Sequence, residues 1–227
     1  MTLQLNVDSA AWRRHVSETA KSLGDLIPVV KGNGYGFGRA TLIEHAQKIS
    51  RDIAVGTIFE THDVPSSCRA FVLTPVGKAL PTAKNMTENI VLTVGSVGHV
   101  QNLRDAGWHG DVVIKLRSSM NRYGADPSEL DALIAAVQAA GLTQIGWSMH
   151  PPLDGTPKSH ATEIGNIISG VDSDLPWFVS HIDAENLTDL RKKFANNSSP
   201  FYSTTAFLVR KGNPKGIKDW DDLARSD

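Results

Sequence analysis

Short β-branched segments alternate with amphipathic ones along most of this 227-residue chain, and that alternation restricts it to strand–helix units around a mostly parallel sheet. Strands are expected at residues 3–7, 26–30, 53–58, 70–74, 90–94, 111–116, 142–148 and 177–180. Helices are expected at Ser9–Leu23, 39–49, 96–106, 127–140 and 160–169, and from an Asp183 cap to about residue 194. Asp8 or Ser9 caps the first of these. Asp126-Pro127-Ser128-Glu129 reads as a capping box with proline at the first helical position, and Gly141 ends the helix it opens. This gives about seven strand–helix units, fewer if 70–74 only crosses the surface. The fold class is α/β, close to a (β/α)8 TIM-type barrel, with a doubly wound open sheet as the alternative.

Composition removes several function classes. The chain is 41% hydrophobic and 21% charged, with a net charge of -1, so no basic surplus points to nucleic acid or to a membrane surface. The first residues show neither the basic nor the apolar region of a secretory signal, and no apolar run approaches the roughly 18 residues of a membrane span. Cys68 is the single cysteine, which leaves no internal disulfide and no cysteine metal cluster. His150, His160 and His181 lack the close spacing of metal ligands. The expected compartment is the cytoplasm.

The most informative segment is Val30-Lys31-Gly32-Asn33-Gly34-Tyr35-Gly36-Phe37-Gly38. A lysine follows a buried strand, at the end where a β/α barrel gathers its reactive groups. Partial desolvation there favours the neutral amine, which condenses with aldehydes. The glycines allow the backbone to approach a ligand and leave amides for a phosphate. The GxxxxGK[ST] order of a P-loop is absent.

This segment resembles the cofactor signature of the alanine racemases, VxKA(N/D)xYGHG, with Gly32 in place of alanine and Phe37 in place of histidine. The resemblance implies pyridoxal 5'-phosphate as cofactor, Lys31 as the lysine that carries it and as one of two catalytic bases, and Tyr35 as a phosphate contact. A second stretch, Lys115-Leu116-Arg117-Ser118-Ser119-Met120-Asn121-Arg122-Tyr123-Gly124, is similar to the family's Kx(D)TGM(G/N)RxG segment. It implies that Arg122 bonds the cofactor's phenolic oxygen, which suits a fixed guanidinium charge. Lys115 falls where many racemases carry a carbamylated lysine. His150, in Ser148-Met149-His150, falls at a family histidine position, and Ser180, in Ser180-His181, where relatives place phosphate-binding serines. The resemblance covers residues 1–195.

Residues 196–227 read differently. From Asn196 through Leu223 they resemble an internal part of periplasmic sulfate-binding proteins, too small a part to imply sulfate transport. The chain therefore reads as composite, whether by fusion, frameshift or design. The tail could supply a closing strand and a short helix. Racemases continue into a C-terminal β domain that supplies the second base from the partner subunit, and this chain is expected to lack it. Arg210, in Val209-Arg210-Lys211-Gly212, superficially resembles the arginine racemases set against the pyridine nitrogen. The expected partner is a small-molecule amino acid, and the resemblance leaves a homodimer open. Three functions remain: an impaired racemase-like enzyme, a non-catalytic pyridoxal-phosphate homeostasis protein, and an interaction or regulatory protein, such as an antitoxin-like neutralising partner, on an enzyme-derived scaffold.

Overall fold

The computed structural model describes residues 6–23, 26–81, 86–152, 155–171 and 173–179. The chain divides into two compact units at Ile182, and every described residue belongs to the first. The strand expected at 3–7 falls largely outside the described residues, and the helix expected at 183–194 wholly so.

Six strands form one sheet: β1 (Asp52–Val55), β2 (Arg69–Val72), β3 (Ile90–Val94), β4 (Asp111–Lys115), β5 (Thr143–Met149) and β6 (Trp177–Val179). All neighbouring pairs are parallel, and their order in space is their order in the chain. A doubly wound sheet reverses direction at a switch point. This sheet never does, so the barrel expectation holds and the open-sheet alternative falls. Residues 70–74 do not merely cross the surface, because Arg69–Val72 pairs on both sides. The segment 26–30 is reduced from an expected strand to a bridge between Val29 and Ala54. Val30 N donates to Ala54 O at 2.7 Å, and Ala54 N to Pro28 O at 2.8 Å. Pro28 has no N–H of its own to extend the ladder.

The sheet is curled. In a flat sheet β2 and β6, four places apart, would be separated by about 19 Å. Instead the rings of Phe71 and Phe178 lie 5.0 Å apart. They share an inner cluster with Ala54, Val91 and Val113, against which Ile27, Leu73 and Ile145 pack. The outer face carries the larger core, including Ile53, Leu92, Ile114, Leu103 and Leu133. Burial on both faces explains why Ile90–Val94 is buried at every position, with no polar alternation.

Helices α1 (Ser9–Leu23) and α2 (Arg39–Ala46) precede β1, and α3 (Val97–Asp105), α4 (Leu130–Ala139) and α5 (Pro157–Ser169) join β3 to β4, β4 to β5 and β5 to β6. Asp8 Oδ1 accepts from the amides of Ala10 and Ala11, both at 3.0 Å, which fixes the start of α1. The Asp126–Glu129 capping box is present and opens a 3-10 turn that leads into α4. Helix α5 begins three residues earlier than expected, because Thr156 and Ser159 cap reciprocally around Pro157. After Val55 the chain leaves the sheet sooner than expected and forms a 3-10 helix, Ile58–Asp63. Among the described residues, no helix is long and apolar enough to cross a membrane.

Candidate functional site

Residues paired in register across a parallel sheet share one face. Lys115 ends β4 opposite Ser148 of β5, which stands opposite Phe178 of β6, so all three belong to the inner face. Lys115 is only 6% exposed. Burial, reinforced by the positive charge of Arg122, pulls its amine down to about 8. Beside it lies a concavity lined by Lys115, Ser118, Met120, Arg122, Tyr123 and His150. His150 is partly buried, and its imidazole is pushed below the usual range by burial first, then by Lys115, Arg122 and Lys31.

The loop that carries Arg122 is closed at its base. Arg117 N donates to Ala125 O at 3.0 Å, and Ala125 N to Lys115 O at 2.8 Å. Inside it Asn121 has φ 52°, in the left-handed region. Gly124 has φ 122°, and a Cβ there would stand 2.4 Å from the carbonyl carbon of Leu116, so only glycine fits. Ser118 Oγ donates to His150 O at 2.5 Å, tying this loop to the end of β5. Glu163 of α5 accepts from both the amide and the hydroxyl of Ser119. The Arg122 guanidinium lies 5.5 Å from the centre of the Tyr123 ring.

Lys31 follows the Val29 bridge, and its side chain is exposed. This corrects the expectation of partial desolvation. Lys31 sits past the edge of the described sheet, whereas Lys115 stands in the middle of it, and the buried amine is Lys115. The loop amides are a second correction. Gly34 N donates to Lys31 O, Gly36 N and Gly38 N to Asn33 O, and Phe37 N to Gly34 O. These four are consumed by the loop's own turns and are not left for a phosphate. Tyr35 is half-exposed with φ 53°, a conformation rare outside glycine and one that tends to mark functional loops. Burial, then the charge of Glu60, raises its phenol above the ordinary value.

Lys31, Lys115, Arg122 and His150 are thus gathered at one end of the sheet, close enough that three of them act electrostatically on the fourth. Ser180, His181 and Arg210 lie outside the described residues. Among the described residues, no group of three or more His, Cys, Asp or Glu could hold a metal ion. Sequence reasoning missed Glu60 and Arg39. Glu60 accepts from Gly32 N at 3.3 Å and Gly56 N at 2.7 Å, and Arg39 Nη1 donates to Gly32 O at 2.9 Å. No motif names them, and Glu60 meets its loop across 28 residues of chain.

A family model for the alanine racemase N-terminal domain matches residues 7–169. The chain belongs to that family. Its fold is similar to the alanine racemases of E. faecalis (TM-score 0.63, 20% identity, 77% of this chain and 52% of that one) and Clostridium difficile 630 (0.59, 20%, 74% and 50%). It is also similar to the Bartonella henselae alanine racemase solved with covalently bound pyridoxal phosphate (0.56, 16%, 74% and 50%). The chain spans about half the length of these racemases.

A C-terminal region matches other proteins. It is 48% identical over 69 residues to the thiosulfate-binding protein of Escherichia coli (strain K12), covering 27% of this chain and 20% of that protein. The sulfate-binding protein of Salmonella typhimurium (strain LT2) is 36% identical over 67 residues, covering 26% and 20%. Of 227 residues, 27% is about 61, nearly twice the stretch that follows residue 195. The likeness therefore reaches upstream of Asn196, to about residue 167 or earlier, and takes in β6 and Ser180.

Proposed function

We propose that the racemase-like region binds pyridoxal phosphate through Lys31. The observation that carries the reading is the convergence of Lys31, Lys115, Arg122 and His150 at one end of the curled sheet, with no carboxylate lining the concavity between Lys115 and Arg122. An aldehyde bearing a phosphate and a phenolic oxygen suits this donor set: the fixed Arg122 guanidinium in a basin without anionic side chains, and the Lys31 amine outside its lining but near enough for its charge to reach His150. Lys31 would hold the carbonyl carbon, Arg122 the phenolic oxygen, and the Tyr35 hydroxyl a phosphate oxygen. When bound, the cofactor supplies an electron sink for an amino-acid α-carbanion.

The chain's own residues set the rest. Burial of Lys115 keeps a share of its amine neutral near pH 8, the form that takes up carbon dioxide, which supports the carbamylation implied by its position. His150 is held towards its neutral form and accepts or donates a hydrogen bond without adding a full charge. For an amino acid bound beside it, the Lys31 amine takes or returns the α-proton on one face. Two-base racemisation needs a second acceptor on the other face.

A non-catalytic binding role is the second reading, favoured by the exposure of Lys31, since carbanion chemistry benefits from a site closed to water. A visible-absorbance titration with pyridoxal phosphate, run on the parent and on Lys31→Ala, tests the shared claim: saturable binding in the parent and none in the variant. Exchange of the α-proton of alanine in deuterium oxide then separates the two roles.

A further inference from the structure

Glu60 of the 3-10 helix Ile58–Asp63 and Arg39 of α2 hold the peptide that follows Lys31 from its two sides. Glu60 reaches from that 3-10 helix with both carboxylate oxygens, one on Gly32 N–H at 3.3 Å and the other on Gly56 N–H at 2.7 Å. A Cβ built on Gly56 would meet Glu60 Oε2 at 3.1 Å and Lys31 Cβ at 3.2 Å, so the carboxylate and the root of the lysine flank the same glycine. The carbonyl of the same Gly32 accepts from Arg39 Nη1 at 2.9 Å. Arg39 is in turn ion-paired through Nε to Asp63, the last residue of that 3-10 helix. Gly32 has φ 61° and no atom within 4 Å of an added Cβ, so packing does not hold it, whereas these polar contacts do.

We propose that Glu60 and Arg39 are positioning residues for Lys31, clamping the Gly32 peptide so that the exposed amine leaves the loop in one direction. The inference rests on the reading of Lys31 as the cofactor lysine. A bridging carboxylate is required because two N–H donors face it: glutamine offers an acceptor to one and a clashing N–H to the other. A clamp of this kind offsets what exposure costs. A lysine free to rotate would meet a bound aldehyde in few of its rotamers, and fixing its root raises the productive share.

The test compares the parent with Glu60→Gln, Glu60→Ala and Arg39→Ala, each first shown to keep the parent's circular dichroism. Two labels are read at Lys31 by peptide mass spectrometry: borohydride-trapped pyridoxal phosphate at limiting concentration, and reductive methylation by formaldehyde, with exposed Lys78 as internal reference. In each variant the pyridoxal phosphate adduct should fall about tenfold, the weight of one charge-assisted hydrogen bond, while formaldehyde labelling relative to Lys78 rises. An unchanged adduct, or formaldehyde labelling that stays equal or falls in step with it, overturns the clamp. A variant that fails to fold is replaced by Arg39→Lys, which keeps the charge but not the forked grip on Asp63 and Gly32. If the parent forms no adduct, the cofactor reading fails, and the clamp is decided without it. Lys31 methylation relative to Lys78 should then differ several-fold between parent and variants, and equal rates would sink the clamp. A spectroscopic titration adds a readout that needs no cofactor: in Glu60→Gln the Tyr35 phenol should ionise at lower pH than in the parent, with Tyr35→Phe marking its signal.

Discussion

Lys31 and Lys115 stand at the same end of one sheet, yet the amine held away from water is Lys115, not Lys31. Burial draws Lys115 from 10.5 down to about 8, so between those values the unfolded chain binds the extra proton and the folded one does not. Stability tied to this residue therefore rises as pH climbs from about 8 to about 10.5, and the penalty is full below that window. Urea unfolding at several pH values should show a gain on the order of 3 kcal/mol in the parent, missing in Lys115→Met. A pH dependence identical in the two would mean that the buried amine is already neutral through another contact.

His150 reports on the same charges. Its imidazole is lowered mainly by burial, with Lys115 next. Lys115→Met removes one repelling cation and leaves the burial, so His150 should titrate at higher pH in that variant. Proton or carbon NMR of the imidazole measures this directly, and a shift in the other direction would place Lys115 away from the ring.

The curl of the sheet has an energetic signature. Phe71 and Phe178 touch although their strands are four places apart. A double-mutant cycle with Phe71→Leu and Phe178→Leu should give a coupling of about 0.5–1.5 kcal/mol in thermal or urea unfolding. Strictly additive losses would argue for an open, flatter sheet.

Barrel order and the helix caps show how much of the fold was legible. Asp8 and the Asp126–Glu129 box act locally, through bonds two or three residues long, and they sit where the sequence places them. The in-order sheet follows from strand–helix alternation. What was not legible depends on distant partners. The segment 26–30 has strand composition but only one neighbour among the described strands, and Pro28 removes a donor. The glycine-rich loop looked open to a phosphate, and its amides instead close turns on Asn33, Gly34 and Lys31. Glu60 sits in a stretch that reads as ordinary polar connection, and its partners, Gly32 and Gly56, offer only backbone. At the site, the two motif segments meet at one end of the sheet, while which lysine is buried was decided by sheet position.

Gly124 is the position least tolerant of a side chain in the Arg122 loop. With φ 122° and backbone atoms of Leu116 and Arg117 within 2.6 Å of a Cβ, Gly124→Ala must open the bridge between Leu116 and Ala125. The cost should be about 3 kcal/mol or more in unfolding experiments. Bound anion at Arg122 should weaken with it. A loss under about 1 kcal/mol would mean that the loop has a second conformation of similar energy.

The most direct measurement is a peptide map of the protein incubated with pyridoxal phosphate and reduced with borohydride. The expected result is one dominant adduct, on Lys31, saturating with cofactor and absent from Lys31→Ala. Label scattered in proportion to exposure over lysines such as Lys48 and Lys78, with no preference for Lys31, would contradict a cofactor site at this end of the sheet.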